Sequence, residues 1–334
     1  MMEHGGDIYS CAKLLGCGED EIIDFSSNIN FYHKKISLDI DVEKISQYPD
    51  TNYTKLKSVI SNIYDVKVKQ IALLNGATSA IYTIFTSIKS KSVYLYAPLY
   101  GEYEKAALIS KKNVYLINRI EDIYEEPKKN SIVVFVNPAT PEATYYDMQK
   151  LFKIWKKLKC SVILDESFIE FENLKSYRKY INSYKKLYVV QSFSKYYASA
   201  GVRIGAVFSN KENIKNLKIQ RWNISSFDSE FLQNRLVDDE FRVKTKELHS
   251  IQKQDLLNIL ESSQLFDEIV PSDANFILTY SPNANNIVKQ LLKYKIMVRE
   301  CESFDFLSEK WLRFAVKDEQ SHKELKKALS FFNE

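Results

Sequence analysis

Short apolar runs alternate with amphipathic stretches between residues 70 and 208. The apolar runs have the length and composition of buried strands, and they occupy 71–74, 92–97, 114–117, 132–136, 161–164, 187–191 and 204–208. Helical spacing of apolar residues lies between several of them, over 78–88, 101–110 and 146–158. Because a strand that is apolar throughout must be covered on both faces, the pattern predicts an α/β fold with a mainly parallel sheet. Such sheets bind ligands at the carboxyl ends of their strands.

The pattern changes after residue 210. Long helical stretches run to about residue 262, and short strands follow at 275–279, 296–299 and 311–316, with a last helix over 320–332. We therefore expect three parts. Residues 1–45 form an N-terminal segment that packs with the small domain, residues 46–225 form the large ligand-binding domain, and residues 226–334 form a small α+β domain.

Composition excludes several classes of protein. The 334 residues include 47 Lys and Arg against 43 Asp and Glu, and a net charge of +4 is too small to predict a nucleic-acid or anionic-membrane partner. No apolar run approaches the ~20 residues that span a bilayer, and the first residues do not resemble a signal peptide. The four cysteines show no CxxC spacing and the four histidines are scattered, so we expect a cytoplasmic protein with neither disulfides nor a metal.

Glycine is scarce, with only eight residues in the chain. A sequence so poor in glycine is expected to keep it where the backbone requires it. Half of the eight, Gly76, Gly101, Gly201 and Gly205, fall in or beside the segments that carry candidate chemistry.

Two of these segments can be interpreted in more than one way. The strand-to-helix turn Asn75-Gly76-Ala77-Thr78 could hold a phosphate on its backbone N–H groups, or could only cap a helix. Asp165 ends a buried strand, where a carboxylate needs a partner. That partner could be a protonated heterocyclic nitrogen, or the cation of a structural salt bridge.

A lysine and an arginine follow the next buried strand. Lys195 closes Ser192-Phe193-Ser194-Lys195, where burial and nearby cations would lower its pKa and make it a Schiff-base nucleophile. Arg203, in Gly201-Val202-Arg203-Ile204-Gly205, carries the donor fork that suits phosphate.

The segments that carry Asp165, Lys195 and Arg203, in this order, resemble those of the fold-type I pyridoxal-phosphate enzymes of the class I/II aminotransferase family. Other segments resemble the branch that holds threonine-phosphate decarboxylase and histidinol-phosphate aminotransferase. They are His4-Gly5-Gly6-Asp7-Ile8-Tyr9, Asp24-Phe25-Ser26-Ser27-Asn28-Ile29-Asn30, Pro271-Ser272-Asp273-Ala274-Asn275-Phe276 and Met297-Val298-Arg299-Glu300-Cys301.

The resemblance implies an aspartate-aminotransferase-like fold, a homodimer with shared active sites, and a role for each site residue. Lys195 would bind pyridoxal 5'-phosphate as a Schiff base, Asp165 would pair with its pyridinium nitrogen, and Tyr100 would stack on its ring. The cofactor's phosphate would be held by Ala77, Thr78, Ser192, Arg203 and, from a second subunit, Tyr48. Arg313 would bind the substrate's carboxylate, while His4, Asn28 and Arg299 would recognise a phosphorylated substrate.

One loop departs from the family pattern. The chain reads Asn137-Pro138-Ala139-Thr140-Pro141-Glu142-Ala143, so Thr140 replaces the asparagine that binds the cofactor's phenolic oxygen and Ala143 replaces a glycine. Our first hypothesis is a decarboxylase of a small O-phosphorylated amino acid such as L-threonine O-3-phosphate, as in cobalamin biosynthesis. The alternatives are a histidinol-phosphate-type aminotransferase that uses glutamate and 2-oxoglutarate, and a protein that binds the cofactor without turnover.

Overall fold

The computed structural model describes residues 5–36, 43 and 46–333. A seven-stranded sheet in this part of the chain has the order β2-β8-β7-β6-β5-β3-β4. Its strands are β2 (Ile71–Asn75), β3 (Ser92–Ala97), β4 (Asn113–Asn118), β5 (Ile132–Val136), β6 (Ser161–Asp165), β7 (Leu187–Ser192) and β8 (Ile204–Ser209). Only β8 runs antiparallel to its neighbours β2 and β7, so the other six strands of this sheet share one direction.

The apolar composition of these strands reflects their burial. All residues of β5, β7 and β8 are buried, whereas the edge strand β4 exposes Tyr115 and Leu116. The prediction of an α/β fold with a mainly parallel sheet is confirmed. The sequence pattern did not predict the direction of β8, because an apolar run is the same whichever way a strand points.

Helices on both faces cover this sheet. They include α2 (Thr54–Tyr64), α3 (Gly76–Ser87), α4 (Glu102–Ile109), α5 (Gln149–Lys157) and α6 (Lys211–Asn216), while α1 (Ile8–Leu15) precedes them in the chain. The helix predicted from residue 146 begins only at Gln149. The reason is that the backbone N–H and C=O of Tyr146 bond to the side-chain amide of Asn137 at 2.8 and 3.0 Å, which holds this residue in a loop.

The C-terminal part forms a second sheet, with the order β12-β13-β10-β9 and antiparallel pairing throughout. The elements here are α7 (Ser226–Leu236), α8 (Asp239–Ser263), β9 (Glu268–Ile269), β10 (Phe276–Tyr280), α9 (Ala284–Lys293), β11 (Ile296–Met297), β12 (Arg299–Glu300), β13 (Trp311–Ala315) and α10 (Glu319–Ser330). The single strand predicted over 296–299 is divided at Val298, because β11 and β12 pair with different partners. Among the described residues, none of the helices combines the length and the apolar content needed to cross a membrane.

The N-terminal segment docks on this second sheet. Its strand β1 (Ile23–Asp24) pairs in parallel with β11, and these two strands form a separate two-stranded sheet beside it. The next residue, Phe25, donates its N–H to the carbonyl of Met297 at 2.7 Å and accepts from the N–H of Ala315 at 2.8 Å. Its ring is fully buried and stacks on His322. These contacts fix residues 26–29 beside the candidate site, whereas the exact domain boundaries stay a prediction.

The docking predicts a large effect of truncating Phe25. We expect Phe25→Ala to lower the free energy of unfolding by about 3–5 kcal/mol, the usual range for removing a buried phenylalanine side chain. Tyr9→Ala is the matched control, because Tyr9 is 70% exposed and its loss is expected to change stability by roughly 0.5 kcal/mol or less. Equilibrium urea unfolding measures both, and equal stabilities of the two variants would contradict the docking.

Candidate active site

A cavity of about 300 Å³ lies between the carboxyl ends of the large sheet's strands and the second sheet. Its size is at the lower end of the range for small-molecule sites. Eleven of the predicted site residues line it, namely Asn28, Ala77, Thr78, Tyr100, Thr140, Asp165, Ser192, Lys195, Arg203, Arg299 and Arg313. The structure thus brings together residues that are up to 285 positions apart in sequence, although the role of each one stays a prediction.

Two predicted site residues are not among them. Tyr48 lies outside the cavity, is 79% exposed, and stacks on Trp222 at a ring-centroid distance of 4.4 Å. Its predicted contact with a second subunit is not tested by a single chain. His4 lies outside the described residues, but the adjacent Gly5 lines the cavity, and the N–H of Gly6 donates to Ser26 Oγ at 2.8 Å.

Asp165 is the last residue of β6, and hydroxyl and amide donors hold its carboxylate. Tyr103 Oη donates to Oδ2 at 2.7 Å, while the N–H and Oγ of Ser167 donate to Oδ1 at 2.9 and 2.5 Å. Burial raises the pKa of Asp165, and these hydrogen bonds together with the charge of Lys195 oppose that rise. Because its partners are neutral donors, the carboxylate is available to a cationic ligand, and this favours the functional hypothesis over a structural salt bridge.

Lys195 lies in the loop after β7. The loop is fixed from the N-terminal segment, since the N–H of Asn30 donates to the carbonyl of Lys195 at 3.0 Å. Burial, followed by the charges of Arg313 and Arg203, lowers the pKa of Lys195 to about 8. A substantial fraction of its amine is therefore neutral near physiological pH, which is the form that attacks a carbonyl.

Two glycines bring a helix N-terminus and a guanidinium into contact. Gly76 has a φ of +75°, and a Cβ built on it would lie 2.9 Å from Arg203 Nη2. A Cβ on Gly205 would lie 2.5 Å from the backbone nitrogen of Ala77. A larger residue at position 76 would displace the Arg203 guanidinium, and one at position 205 would push β8 away from the first turn of α3. The result is a cradle of backbone N–H groups and one arginine that fits a phosphate.

Two arginines face the cavity from the second sheet. Arg299 and Arg313 are directly opposite each other on β12 and β13. Arg299 donates to Ser303 Oγ at 2.6 Å and lies over the ring of Phe304, while Arg313 lies over the ring of Phe276. Like charges at paired positions repel each other, so this arrangement favours an anionic ligand between them.

Polar groups of the N-terminal segment and of the departing loop contact Arg313. Its guanidinium donates to the carbonyl of Ser26 and to Thr140 Oγ1, both at 3.0 Å. Its Nε and the Oδ1 of Asn28 are buried and have no hydrogen-bond partner within the described residues. Burial lowers the pKa of Arg313 to about 10, with the charge of Arg299 acting in the same direction. Thr140, predicted to bind the cofactor, thus also contacts the arginine predicted to bind the substrate.

Sequence reasoning missed Tyr103 and Ser167. Tyr103 lies in the first turn of α4, only three residues after Tyr100. Ser167 lies two residues after Asp165 and accepts from the N–H of Ser192 at 3.0 Å, which links the ends of β6 and β7. A serine two residues after an aspartate is a recognisable turn signal.

Several known proteins resemble this chain in sequence. It is 31% identical over 98% of its length to the adenosylcobalamin biosynthesis bifunctional protein CobDQ of Leptospira interrogans, of which it spans 41%. It is 27% identical over 98% of its length to a putative threonine-phosphate decarboxylase of Caldanaerobacter subterraneus, covering 93% of that protein. It is 26% identical over 86% of its length to the histidinol-phosphate aminotransferase of Flavobacterium johnsoniae, covering 86% of it.

A solved structure shares the fold. The histidinol-phosphate aminotransferase of Clostridium acetobutylicum superposes with a TM-score of 0.82 at 26% identity, covering 93% of this chain and 99% of that one. This confirms the prediction of an aspartate-aminotransferase-like fold.

The family match extends over nearly the whole chain. Residues 21–332 match the family described as Aminotransferase class I and II, and this range includes twelve of the thirteen predicted site residues. Pyridoxal phosphate is the cofactor of this family, so membership in the family confirms the cofactor that the sequence predicted. The chain belongs to the class I and II aminotransferase family.

Proposed function

We propose that this protein is a pyridoxal-phosphate-dependent decarboxylase of a small O-phosphorylated amino acid such as L-threonine O-3-phosphate. The observation that carries the proposal is the charge of the cavity. Among its described lining residues, four side chains are cationic and only Asp165 is anionic. The cofactor's phosphate complements one of these cations, and an anionic substrate with two acidic groups complements the pair Arg299 and Arg313.

The residues present fit the cofactor. The cradle formed by Ala77, Thr78, Ser192 and Arg203 suits its phosphate, Lys195 offers a partly neutral amine for its carbonyl, and Tyr100 would lie against its ring. Asp165 would pair with the protonated ring nitrogen, and the donors on its carboxylate favour the anionic form against the effect of burial, which raises its pKa. When bound, the cofactor supplies an electron sink for the bond that is cleaved.

The substrate's orientation decides which bond is cleaved. Arg313 is fixed by Thr140 and Ser26, and we assign it the carboxylate; Arg299, across the strand pair, receives the phosphate. Asn28 Oδ1 offers an unused acceptor at the same wall. With its carboxylate and phosphate held by these two arginines, the substrate can present one of two bonds for cleavage. These are the bond to the carboxylate and the bond to the α-hydrogen. The proposal assigns the first of these outcomes.

The relatives support this assignment and its metabolic setting. Two alignments that cover 98% of the chain are to proteins named for adenosylcobalamin biosynthesis and threonine-phosphate decarboxylation. They therefore include most of the N-terminal segment, whose residues 26–29 line the cavity. We place the reaction in cobalamin biosynthesis and in the cytoplasm, where the four cysteines, all free thiols, would stay reduced.

A histidinol-phosphate-type aminotransferase is the second candidate. It is favoured by the structural match to the Clostridium acetobutylicum enzyme, and the same two arginines suit a phosphorylated amine and glutamate in turn. Either enzyme would act as a homodimer. The exposed aromatic pair of Tyr48 and Trp222 supports this assembly, because it offers an apolar contact to a second subunit.

Incubation with L-threonine O-3-phosphate distinguishes the two functions. The purified holoenzyme is supplied with this compound in the presence and absence of 2-oxoglutarate, and CO₂ and glutamate are measured. We expect CO₂ release without the keto acid. Glutamate formed only in its presence, without CO₂, would support the aminotransferase and contradict the decarboxylase.

Arg299 provides a second prediction, on substrate choice. A hydrogen bond to a charged group contributes roughly 1.5–3 kcal/mol, so Arg299→Ala should lower kcat/KM on L-threonine O-3-phosphate by roughly 10–150-fold. The matched substrate is L-threonine, which lacks only the phosphate, and its slow turnover should change little. Equal losses on the two substrates would show that Arg299 is structural or binds the carboxylate.

A further inference from the structure

A buried ion pair adjoins the candidate site without lining the cavity. Arg119 follows β4, and Glu142 lies in the loop after β5; both are at least nine-tenths buried. Nε and Nη2 of Arg119 donate to the two carboxylate oxygens of Glu142 at 2.5 and 2.7 Å. Because both side chains are buried away from water, this bidentate geometry is what compensates their two charges.

The guanidinium of Arg119 also donates hydrogen bonds to two backbone carbonyls. Its Nη2 donates to the carbonyl of Thr140 at 3.1 Å, and its Nη1 donates to the carbonyl of Tyr96 in β3. Arg119 therefore ties the loop to the strand that leads to Tyr100. Because the hydroxyl of Thr140 accepts from Arg313, a single residue connects the ion pair to the predicted carboxylate-binding arginine.

The rest of the loop is held separately. Ala143 has a φ of +62°, a conformation that residues with a Cβ disfavour, so its contacts and not its own preference impose the loop's shape. The N–H of Asp273 donates to the carbonyl of Ala143, and its carboxylate accepts from the N–H of Tyr145, both at 2.8 Å. These bonds secure the far end of the loop, and they leave the Thr140 carbonyl to Arg119.

We propose that the Arg119–Glu142 ion pair positions Arg313 through Thr140, and so sets the affinity for the substrate's carboxylate. The inference rests on the proposed function in one respect, namely that Arg313 binds this group. Arg119 is a positioning residue, since it touches neither the cavity nor Arg313. Without the pair, Thr140 would lose the bond that fixes its peptide, and Arg313 would keep only its bond to Ser26.

A double-mutant cycle tests the proposal. The combined change Arg119→Met/Glu142→Met removes both charges together and keeps unbranched side chains of comparable volume, so no isolated charge remains buried. Thr140→Val removes the hydroxyl and retains the shape. Each protein is assayed for binding of L-threonine O-3-phosphate and of 1-aminopropan-2-yl phosphate, its decarboxylated counterpart.

We expect each change to weaken binding of the carboxylate-bearing ligand about tenfold, at the low end for a hydrogen bond to a charged group. Binding of the carboxylate-free amine should change less than about twofold, because it does not use Arg313. Combining the two changes should weaken binding no further than either alone, since both act on one contact. The exposed ion pair on α10, changed as Lys323→Met/Glu319→Met, is the matched control and should leave both affinities intact.

Two results would overturn the inference. Equal losses for both ligands would mean that the ion pair is only structural, and additive losses would mean that it does not act through Thr140. Failure of the proposed function is a separate outcome, in which the unmodified enzyme binds neither phosphorylated ligand. The same cycle then uses L-glutamate and 4-aminobutyrate, which again differ only by the α-carboxylate.

Discussion

Burial of like charges around a single carboxylate is the constraint on which the site depends. The cations that line the cavity with Asp165 are Lys195, Arg203, Arg299 and Arg313. Lys195 loses its proton more readily than the arginines, because the ordinary pKa of lysine is lower than that of arginine. Burial and the neighbouring cations lower the pKa of Lys195 further, to about 8. Burial and the neighbouring cations thus favour the neutral form of the Lys195 amine, and the same cations attract anions to the cavity.

The fold imposes this concentration of charge from two directions. Parallel strands bring the end of β6 and the loop after β7 to one edge of the large sheet, which places Asp165 beside Lys195. The antiparallel pair β12 and β13 carries two arginines at directly opposed positions. Residues 26–29 line the cavity, where they are held because Phe25 is hydrogen-bonded to β11 and β13 and Ser26 is hydrogen-bonded to Arg313.

The sequence predicted the parts of the site that follow from strand ends. Asp165, Lys195 and Arg203 each come directly after or before a buried apolar run, and a resemblance to known motifs supplied their roles. The contacts of Arg119 could not be predicted, because it lies 23 residues from Glu142 in an irregular turn and no periodicity relates the two. The pairing of Arg299 with Arg313 could not be predicted from the sequence either, because the register between two antiparallel strands depends on the connection between them.

The reactivity of Lys195 in the protein without cofactor shows whether burial and the neighbouring cations lower the pKa of its amine. Reductive methylation with formaldehyde and cyanoborohydride modifies only neutral amines, so its rate at each lysine, followed by peptide mass mapping from pH 6 to 11, reports the pKa. Lys323 is the internal reference, because Glu319 raises its pKa above the ordinary value of lysine. We predict that the rate at Lys195 rises with pH to a plateau with a midpoint near 8, well below that of Lys323. A midpoint for Lys195 above pH 10 would contradict this prediction, because burial and the neighbouring cations would then exert no effect on the amine.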